Sequence, residues 1–156
     1  MLAYLFLNAI MDHSVKKLLS AFAAISCLST VSYACPVSVS DTPAVEQIVA
    51  HHGGWPISDE RCALINKYKL TINVDGEATV LAGTSVGWVI VKLGSSDTNI
   101  VSNKYSASTN VNSSTASQDV AEDQFYAALR RALAELDITT AANEVKKFEA
   151  KAAKRY

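Results

Sequence analysis

Residue types that carry chemistry are scarce in this sequence. It contains three cysteines and three histidines among 156 residues, and it has no Cys-x-x-Cys or His-Glu-x-x-His spacing of the kind that holds zinc. A glycine-rich phosphate loop and a dinucleotide-binding fingerprint are also lacking. The sequence therefore predicts no metal site, no cofactor and no enzymatic activity.

An excess of charge of one sign is lacking too. Lys and Arg number 14 and Asp and Glu number 15, which leaves a net charge of −1. This balance gives no reason to expect nucleic acid as a partner. The hydrophobic fraction of 49% is too high for a disordered chain. Outside residues 1–34, no apolar run approaches the roughly 20 residues of a membrane span. We expect one globular domain with a protein partner.

Residues 1–34 have the organisation of a secretory leader preceded by an extension. Lys16 and Lys17 come before an apolar run, and Ser32 and Ala34 are small residues of the kind that a signal peptidase accepts. Residues 1–10 place apolar character before the basic pair, which is the reverse of the usual order. We therefore expect translation to start at Met11. A signal anchor retained in the membrane is the alternative.

Cysteine parity supports export. Cleavage after Ala34 would discard Cys27 and leave Cys35 and Cys62, an even number for an oxidising compartment such as the periplasm. A Cys35–Cys62 disulfide would stabilise the remaining domain, residues 35–156, by about 3–4 kcal/mol if loop entropy dominates. Alternatively, "AISC" resembles a bacterial lipobox, and Cys27 would then carry a lipid anchor. Either route puts the domain in the periplasm, the cell envelope or the medium.

Hydrophobic periodicity predicts an α+β fold for residues 35–156. Helical spacing and capping residues indicate two short N-terminal helices, at 44–52 and 56–68, and two C-terminal helices, at 120–137 and 141–156. Residues 36–43 are expected to form an extended or irregular lead-in. Strands followed by helices favour a sheet with the C-terminal helices packed on one face.

The strands between the helix pairs predict an antiparallel meander. Alternation begins at Lys69, and Asp75-Gly76 is a strong signal for a tight hairpin turn. A hairpin there gives four strands, whereas a bulge gives three. The most apolar strand, 85–93, is expected to meet the apolar stripe of the third helix, with Val86, Trp88 and Ile90 against Phe125, Leu129 and Leu133.

Residues 51–56, "HHGGWP", carry two adjacent histidines that suggest a metal or catalytic site. Adjacent helical residues point about 100° apart, so His51 and His52 are poorly placed to bind one ion, even with Asp59 or Glu60 nearby. Paired glycines are typical of a helix end, and histidine in a last turn is favoured by the helix dipole. We interpret the stretch as a helix end packed under Trp55.

Two surfaces are candidates for binding. The polar strand at 99–111 is predicted to be an edge, where a partner can add a strand next to Lys104 and Tyr105. The last helix carries a basic set suited to an acidic partner or a membrane surface, comprising Lys146, Lys147 and Lys151. A solvated helix face is the alternative for that set.

The sequence therefore predicts an exported, non-enzymatic protein-binding or assembly module. The alternative is a secreted antagonist, either an enzyme inhibitor or an immunity protein. Such an antagonist would bind one soluble enzyme through a loop at 53–56, 94–97 or 112–118.

Overall fold

A computed structural model of the chain describes residues 37–154. This part of the protein has the predicted α+β architecture, with a four-stranded sheet and four helices, two of them C-terminal. The elements, in chain order, are β1 (Ser38–Ser40), α1 (Pro43–His51), α2 (Asp59–Lys67), β2 (Leu70–Leu81), β3 (Thr84–Ser95), β4 (Val101–Asn112), α3 (Gln118–Glu135) and α4 (Ile138–Ala153).

The sheet is mixed, so the prediction of a purely antiparallel sheet is wrong. Its order is β1-β2-β3-β4, and β2, β3 and β4 form an antiparallel meander. β1 comes from the segment predicted to be an extended or irregular lead-in, and it pairs in parallel with β2, Val39 opposite Ile72. Val37 and Val39 pack against the core. A strand of three residues beside a proline is too short for its alternation to stand out in the sequence.

Asp75-Gly76 is neither a hairpin nor a bulge. β2 runs through both residues, and its register with β3 is unbroken from Leu70 opposite Ser95 to Leu81 opposite Thr84. A Cβ on Gly76 would lie 2.3 Å from the Trp88 carbonyl oxygen and 2.9 Å from Phe125 Cε2. Glycine is needed here for close packing. The meander therefore has three strands, in agreement with the three-strand alternative but without its bulge.

The hairpin turn lies seven residues later. Ala82 and Gly83 join β2 to β3 with φ values of +47° and +80°, as a two-residue type I′ turn requires.

The start of each helix is fixed by a local hydrogen bond. In all four helices, the side-chain oxygen of the N-cap residue accepts from a backbone nitrogen in the first turn. The four N-cap residues are Thr42, Ser58, Ser117 and Asp137.

The core lies between one face of the sheet and all four helices. The predicted α3 stripe is buried, including Phe125, Leu129 and Leu133. The sheet residues that meet the helices are Val89, Val91 and Leu93, not Val86, Trp88 and Ile90 as predicted. α3 approaches β3 at Gly87, where a Cβ would lie only 2.0 Å from the backbone nitrogen of Phe125. Since β3 is apolar on both faces, hydrophobicity alone could not show which face the helix covers.

Candidate binding surface

The face of the sheet opposite the core carries no helix within residues 37–154. Side chains alternate between the two faces of a strand. Residues that lie opposite each other in neighbouring strands have their side chains on the same face of the sheet. We call this surface the open face. It comprises Thr71, Asn73, Asp75, Glu77, Thr79 and Leu81 of β2, Val86, Trp88, Ile90 and Lys92 of β3, and Val101, Asn103, Tyr105, Ala107, Thr109 and Val111 of β4.

The open face is unusually apolar for a surface that no described helix covers. Val86, Trp88 and Ile90 run along its central strand, are half-buried, and lie outside the core cluster. Of the five large hydrophobic side chains that are exposed in the described part of the chain, four are on this face: Leu81, Val101, Tyr105 and Val111. Tyr105, at 64% exposure, is the most accessible of them. An apolar surface of this kind is typical of a site that binds another molecule.

Two shallow depressions lie where the open face meets β1. Each has a volume of about 420 Å³, and they share Ser40, Asn73 and Val101 in their walls. The first is also lined by Ile90 and by two residues of opposite charge, Asp75 and Lys92. The surface therefore combines an apolar centre with polar groups toward one end. That combination resembles the core and rim of a protein interface.

The beginning of the β4 edge is closed by a carboxylate from α4. Glu144 Oε2 accepts hydrogen bonds from the Ser102 hydroxyl at 2.5 Å and from the backbone nitrogens of Asn103 and Lys104 at 2.8 and 3.3 Å. The hydrogen bond from Ser102, followed by those from the two backbone groups and the nearby charge of Lys104, holds the pKa of Glu144 below its ordinary value. A partner strand therefore cannot pair with β4 at Lys104 without displacing Glu144.

The predicted contact residues fall on two different surfaces. Tyr105 belongs to the open face, whereas Lys146, Lys147 and Lys151 are exposed on α4, in the helix layer on the other side of the sheet. Lys146 Nζ lies 4.7 Å from the centre of the Tyr68 ring, as a cation–π contact requires. One partner of modest size would not contact both groups.

The histidine stretch forms the end of α1. The backbone nitrogens of Gly53 and Gly54 donate to the carbonyls of Ala50 and Val49, at 3.1 and 2.9 Å, which is the pattern of a Schellman motif. The His52 ring stacks on Tyr126, with 4.4 Å between ring centres, and its Nε2 lies 3.6 Å from Asp123 Oδ1. The histidine, expected beneath Trp55, is thus held by an α3 tyrosine that sequence reasoning missed.

Metal-binding geometry is not found in the described part of the chain. No three His, Cys, Asp or Glu side chains between residues 37 and 154 come together to hold an ion. Cys62 is buried in α2, and Asn66 Nδ2 lies 3.5 Å from its Sγ. Cys35 and Cys27 are outside the described residues, so the disulfide and the lipid anchor stay predictions.

One match to a catalytic motif has the wrong structural context. Residues 83–87 read Gly-Thr-Ser-Val-Gly, and Gly-x-Ser-x-Gly marks a nucleophile only where the serine is exposed at a strand-to-helix turn. Ser85 is instead fully buried within β3. Its hydroxyl donates to the carbonyls of Thr115 and Ser117 at 2.8 and 2.9 Å and accepts from the Ser117 nitrogen at 3.1 Å. Ser85 anchors the loop before α3.

The three loops of the antagonist hypothesis are all tied to the fold. Tyr126 Oη donates to the Gly54 carbonyl at 2.8 Å in loop 53–56. In loop 94–97, the backbone nitrogen and hydroxyl of Ser96 both donate to the Lys69 carbonyl at 3.0 Å. Loop 112–118 is held by Ser85. All three loops are therefore held to the rest of the fold by hydrogen bonds, and these hydrogen bonds do not favour any one of them as a binding loop.

Comparisons with known proteins give no relative. A scan against protein-family models finds no match, and a search of curated proteins finds no significantly similar chain.

Between residues 37 and 154, none of the helices combines the length and the apolar character needed to cross a bilayer. Function is therefore inferred from the residues and their geometry.

Proposed function

We propose that this protein is exported and acts as a non-enzymatic binding or assembly module that holds a protein partner on the open face. The observation that supports this proposal best is the concentration of exposed apolar side chains on the one face of the sheet that no described helix covers. Burying an exposed side chain of this size contributes about 1.5–3 kcal/mol. A few such contacts are enough for specific association.

Trp88 and Tyr105 are the proposed anchors. Aromatic side chains dominate the energetics of protein interfaces because they bury a large area at a small cost in conformational entropy. Trp88 is central on β3, and Tyr105 stands opposite Lys92 on the neighbouring strand. The rest of the β4 edge, after Lys104, can add backbone hydrogen bonds to a partner strand. The closed segment at Asn103 and Lys104 sets where such pairing would begin.

Site-specific photo-crosslinking in the native cell tests the proposal. A benzoylphenylalanine replaces Tyr105 or Val111 on the open face, and Lys147 or Lys151 on α4 serves as the matched exposed control. We expect one crosslinked protein from both open-face positions and none from the α4 positions. Crosslinks from α4 alone, or from neither surface, would contradict the proposal.

The size of the crosslinked species separates the two hypotheses about function. An assembly module is expected to sediment with the membrane or with a large complex. An antagonist is expected to form a one-to-one complex with a soluble enzyme and to crosslink from loop 53–56, 94–97 or 112–118. In addition, Tyr105→Ser combined with Val111→Thr should abolish the complex without changing the unfolding midpoint, since both side chains are exposed.

A further inference from the structure

We infer a second binding site, independent of the open face, in the groove between the outer edge of β2 and helix α1. The site takes an extended peptide segment with basic side chains, which adds to the sheet as a new strand. Three observations support it: an unpaired stretch of strand edge, a groove beside that edge, and acidic residues without Lys or Arg in the groove wall.

The unpaired edge is the outer side of residues 75–81, together with the carbonyl of Val74. β1 pairs only with Thr71, Ile72 and Asn73, and no other strand of the described chain lies on that side of β2. β2 therefore continues for eight residues beyond the end of β1 without a neighbour there. Backbone groups on a free edge form a template for an added strand.

The register shows which backbone groups point outward. In a two-residue hairpin, the flanking residues Leu81 and Thr84 exchange hydrogen bonds, and in an antiparallel ladder such pairs alternate along the strand. Odd-numbered β2 residues therefore bond to β3, and even-numbered residues direct both backbone groups outward. An independent contact agrees, because Gln118 Nε2 donates to the Ala78 carbonyl at 3.2 Å. The outward set is Val74, Gly76, Ala78 and Val80. The parallel register of β1 places Ser40 opposite Asn73, so the Val74 amide already donates to the Ser40 carbonyl and the free amides are those of Gly76, Ala78 and Val80.

A groove of about 460 Å³ runs beside this edge. Gly76, Glu77 and Ala78 line it on the strand side, and Gln47 and His51 line it on the α1 side. The start of α3 closes it with Gln118 and Glu122. A slot between a free strand edge and a helix is the arrangement in which domains bind extended peptides by strand addition.

The charge of the groove selects basic side chains. Glu77 and Glu122 line it, and none of the described residues that line it is Lys or Arg. Glu77 belongs to the open-face set of β2, whereas Glu122 belongs to the helix layer, so the two carboxylates flank the slot from opposite sides of the sheet. Successive side chains of an added strand point to opposite faces. Basic residues on either face of the peptide therefore meet a carboxylate.

In the free protein, the Gln118 side chain makes a hydrogen bond that a bound peptide would replace. Its side-chain amide is a donor to an outward carbonyl, as the backbone nitrogen of an added strand would be. The Gln118 side chain is exposed, so it can exchange this bond for one to water at little cost. The carbonyl stays hydrogen-bonded in both states.

Amide hydrogen exchange with a synthetic peptide tests the site. The probe is an acetylated and amidated eight-residue peptide of alternating Lys and Val, and the control probe has Glu in place of Lys. On the chain purified from an exporting bacterial host, we expect the Lys probe to slow exchange at least tenfold at Gly76, Ala78 and Val80. The amides of Asp75, Glu77 and Thr79 already bond to β3 and should not change.

Charge-reversal variants test the specificity. Glu77→Lys combined with Glu122→Lys should lower the affinity for the Lys probe at least tenfold. Glu135→Lys changes an exposed carboxylate near the other end of α3 and should lower the affinity less than twofold. Val80→Pro removes one outward donor and leaves the β3 ladder intact, so it should weaken binding while the protein stays folded.

Three outcomes would overturn the inference. The first is protection of open-face amides in place of the even-numbered β2 amides. The second is equal binding of the Lys and Glu probes. The third is protection of the even-numbered amides that rises with protein concentration in the absence of peptide, because the edge would then be taken by a second copy of this chain. The variants used here leave Tyr105 and Val111 unchanged, so failure here leaves the open-face proposal intact.

Discussion

At the scale of single residues, two glycines decide how the helices meet the sheet. Gly76 and Gly87 lie on neighbouring strands under α3, and each has backbone atoms within 2.3 Å of the position that a Cβ would take. A glycine inside a strand normally weakens it. Here the absence of a side chain allows Phe125 and the helix backbone to approach the sheet. These two positions allow α3 to pack closely on the covered face of the sheet.

The substitution Gly87→Ala should therefore be strongly destabilising. The added methyl would lie 2.0 and 2.3 Å from the backbone nitrogen and Cα of Phe125, and backbone cannot move away as a flexible side chain can. We expect a loss of about 3 kcal/mol in the free energy of unfolding, at the upper end for overpacking. Urea denaturation measures it. Gly83→Ala is the matched control, since nothing lies within 4 Å there and only the positive φ is strained. Its expected cost is about 1 kcal/mol, and equal costs at the two positions would contradict the steric explanation.

Glu144 makes stability depend on pH in a defined window. Its pKa in the folded protein is below the ordinary value of 4.5, chiefly because of the hydrogen bond from Ser102. A lowered pKa contributes stability above the unfolded value, and the contribution is lost as the pH falls through the folded value. Glu144→Gln should therefore unfold at a lower urea concentration than the wild type at pH 7.

The difference between the two proteins should shrink below pH 4.5 and vanish in stronger acid, as measured by urea midpoints at successive pH values. Glu135→Gln is the control for loss of a carboxylate, because Glu135 is exposed near the end of α3. A Glu144→Gln deficit that stays constant down to the lowest pH would contradict this explanation, because the deficit would then not depend on the ionisation of Glu144.

At the scale of elements, the β2–β3 hairpin is built with a strained residue. Ala82 has a φ of +47°, a conformation that alanine adopts at a cost of roughly 1 kcal/mol and asparagine tolerates better. Asn-Gly is the preferred pair for a type I′ turn, and Gly83 already occupies the second position. Ala82 is exposed, so the side chain can change without a loss of packing.

We expect Ala82→Asn to raise the free energy of unfolding by about 0.5–1 kcal/mol, measured by thermal and urea denaturation. Ala107→Asn, also an exposed alanine of the sheet, should not stabilise the protein. A neutral or negative effect of Ala82→Asn would mean that the turn does not hold Ala82 in the left-handed conformation.

At the scale of the whole molecule, processing is the property most easily measured. Intact-mass analysis after expression in a bacterial host should find a chain beginning at Cys35. Its two thiols should react with an alkylating agent only after reduction, because we expect Cys35 to pair with Cys62. A chain beginning at Cys27 with added acyl mass would instead support the lipid anchor. An uncleaved chain, or thiols that react without reduction, would contradict the export prediction.

The sequence by itself determined the α+β fold class and the order of the main elements, and it placed the helix ends within three residues of their observed positions. Caps such as Ser58 and the Gly53-Gly54 ending act within a few residues, so their signals are local and can be read in one dimension. The α3 stripe was equally clear, because 18 residues contain several turns of the same period. The helix side of the core was therefore predictable, whereas the open-face residues Val86, Trp88 and Ile90 were wrongly predicted to pack against it.

Only the tertiary structure decided which face of the sheet is open. β3 is apolar on both faces, and its covered face is chosen by the fit of Phe125 against Gly76 and Gly87, residues distant in sequence. The same contact explains why Asp75-Gly76, a strong turn signal, lies inside a strand. The parallel pairing of β1, the closure of the β4 edge by Glu144 and the free edge of β2 also depend on contacts between distant segments. Such contacts leave no periodic pattern in the sequence, because they depend on shape and position in three dimensions.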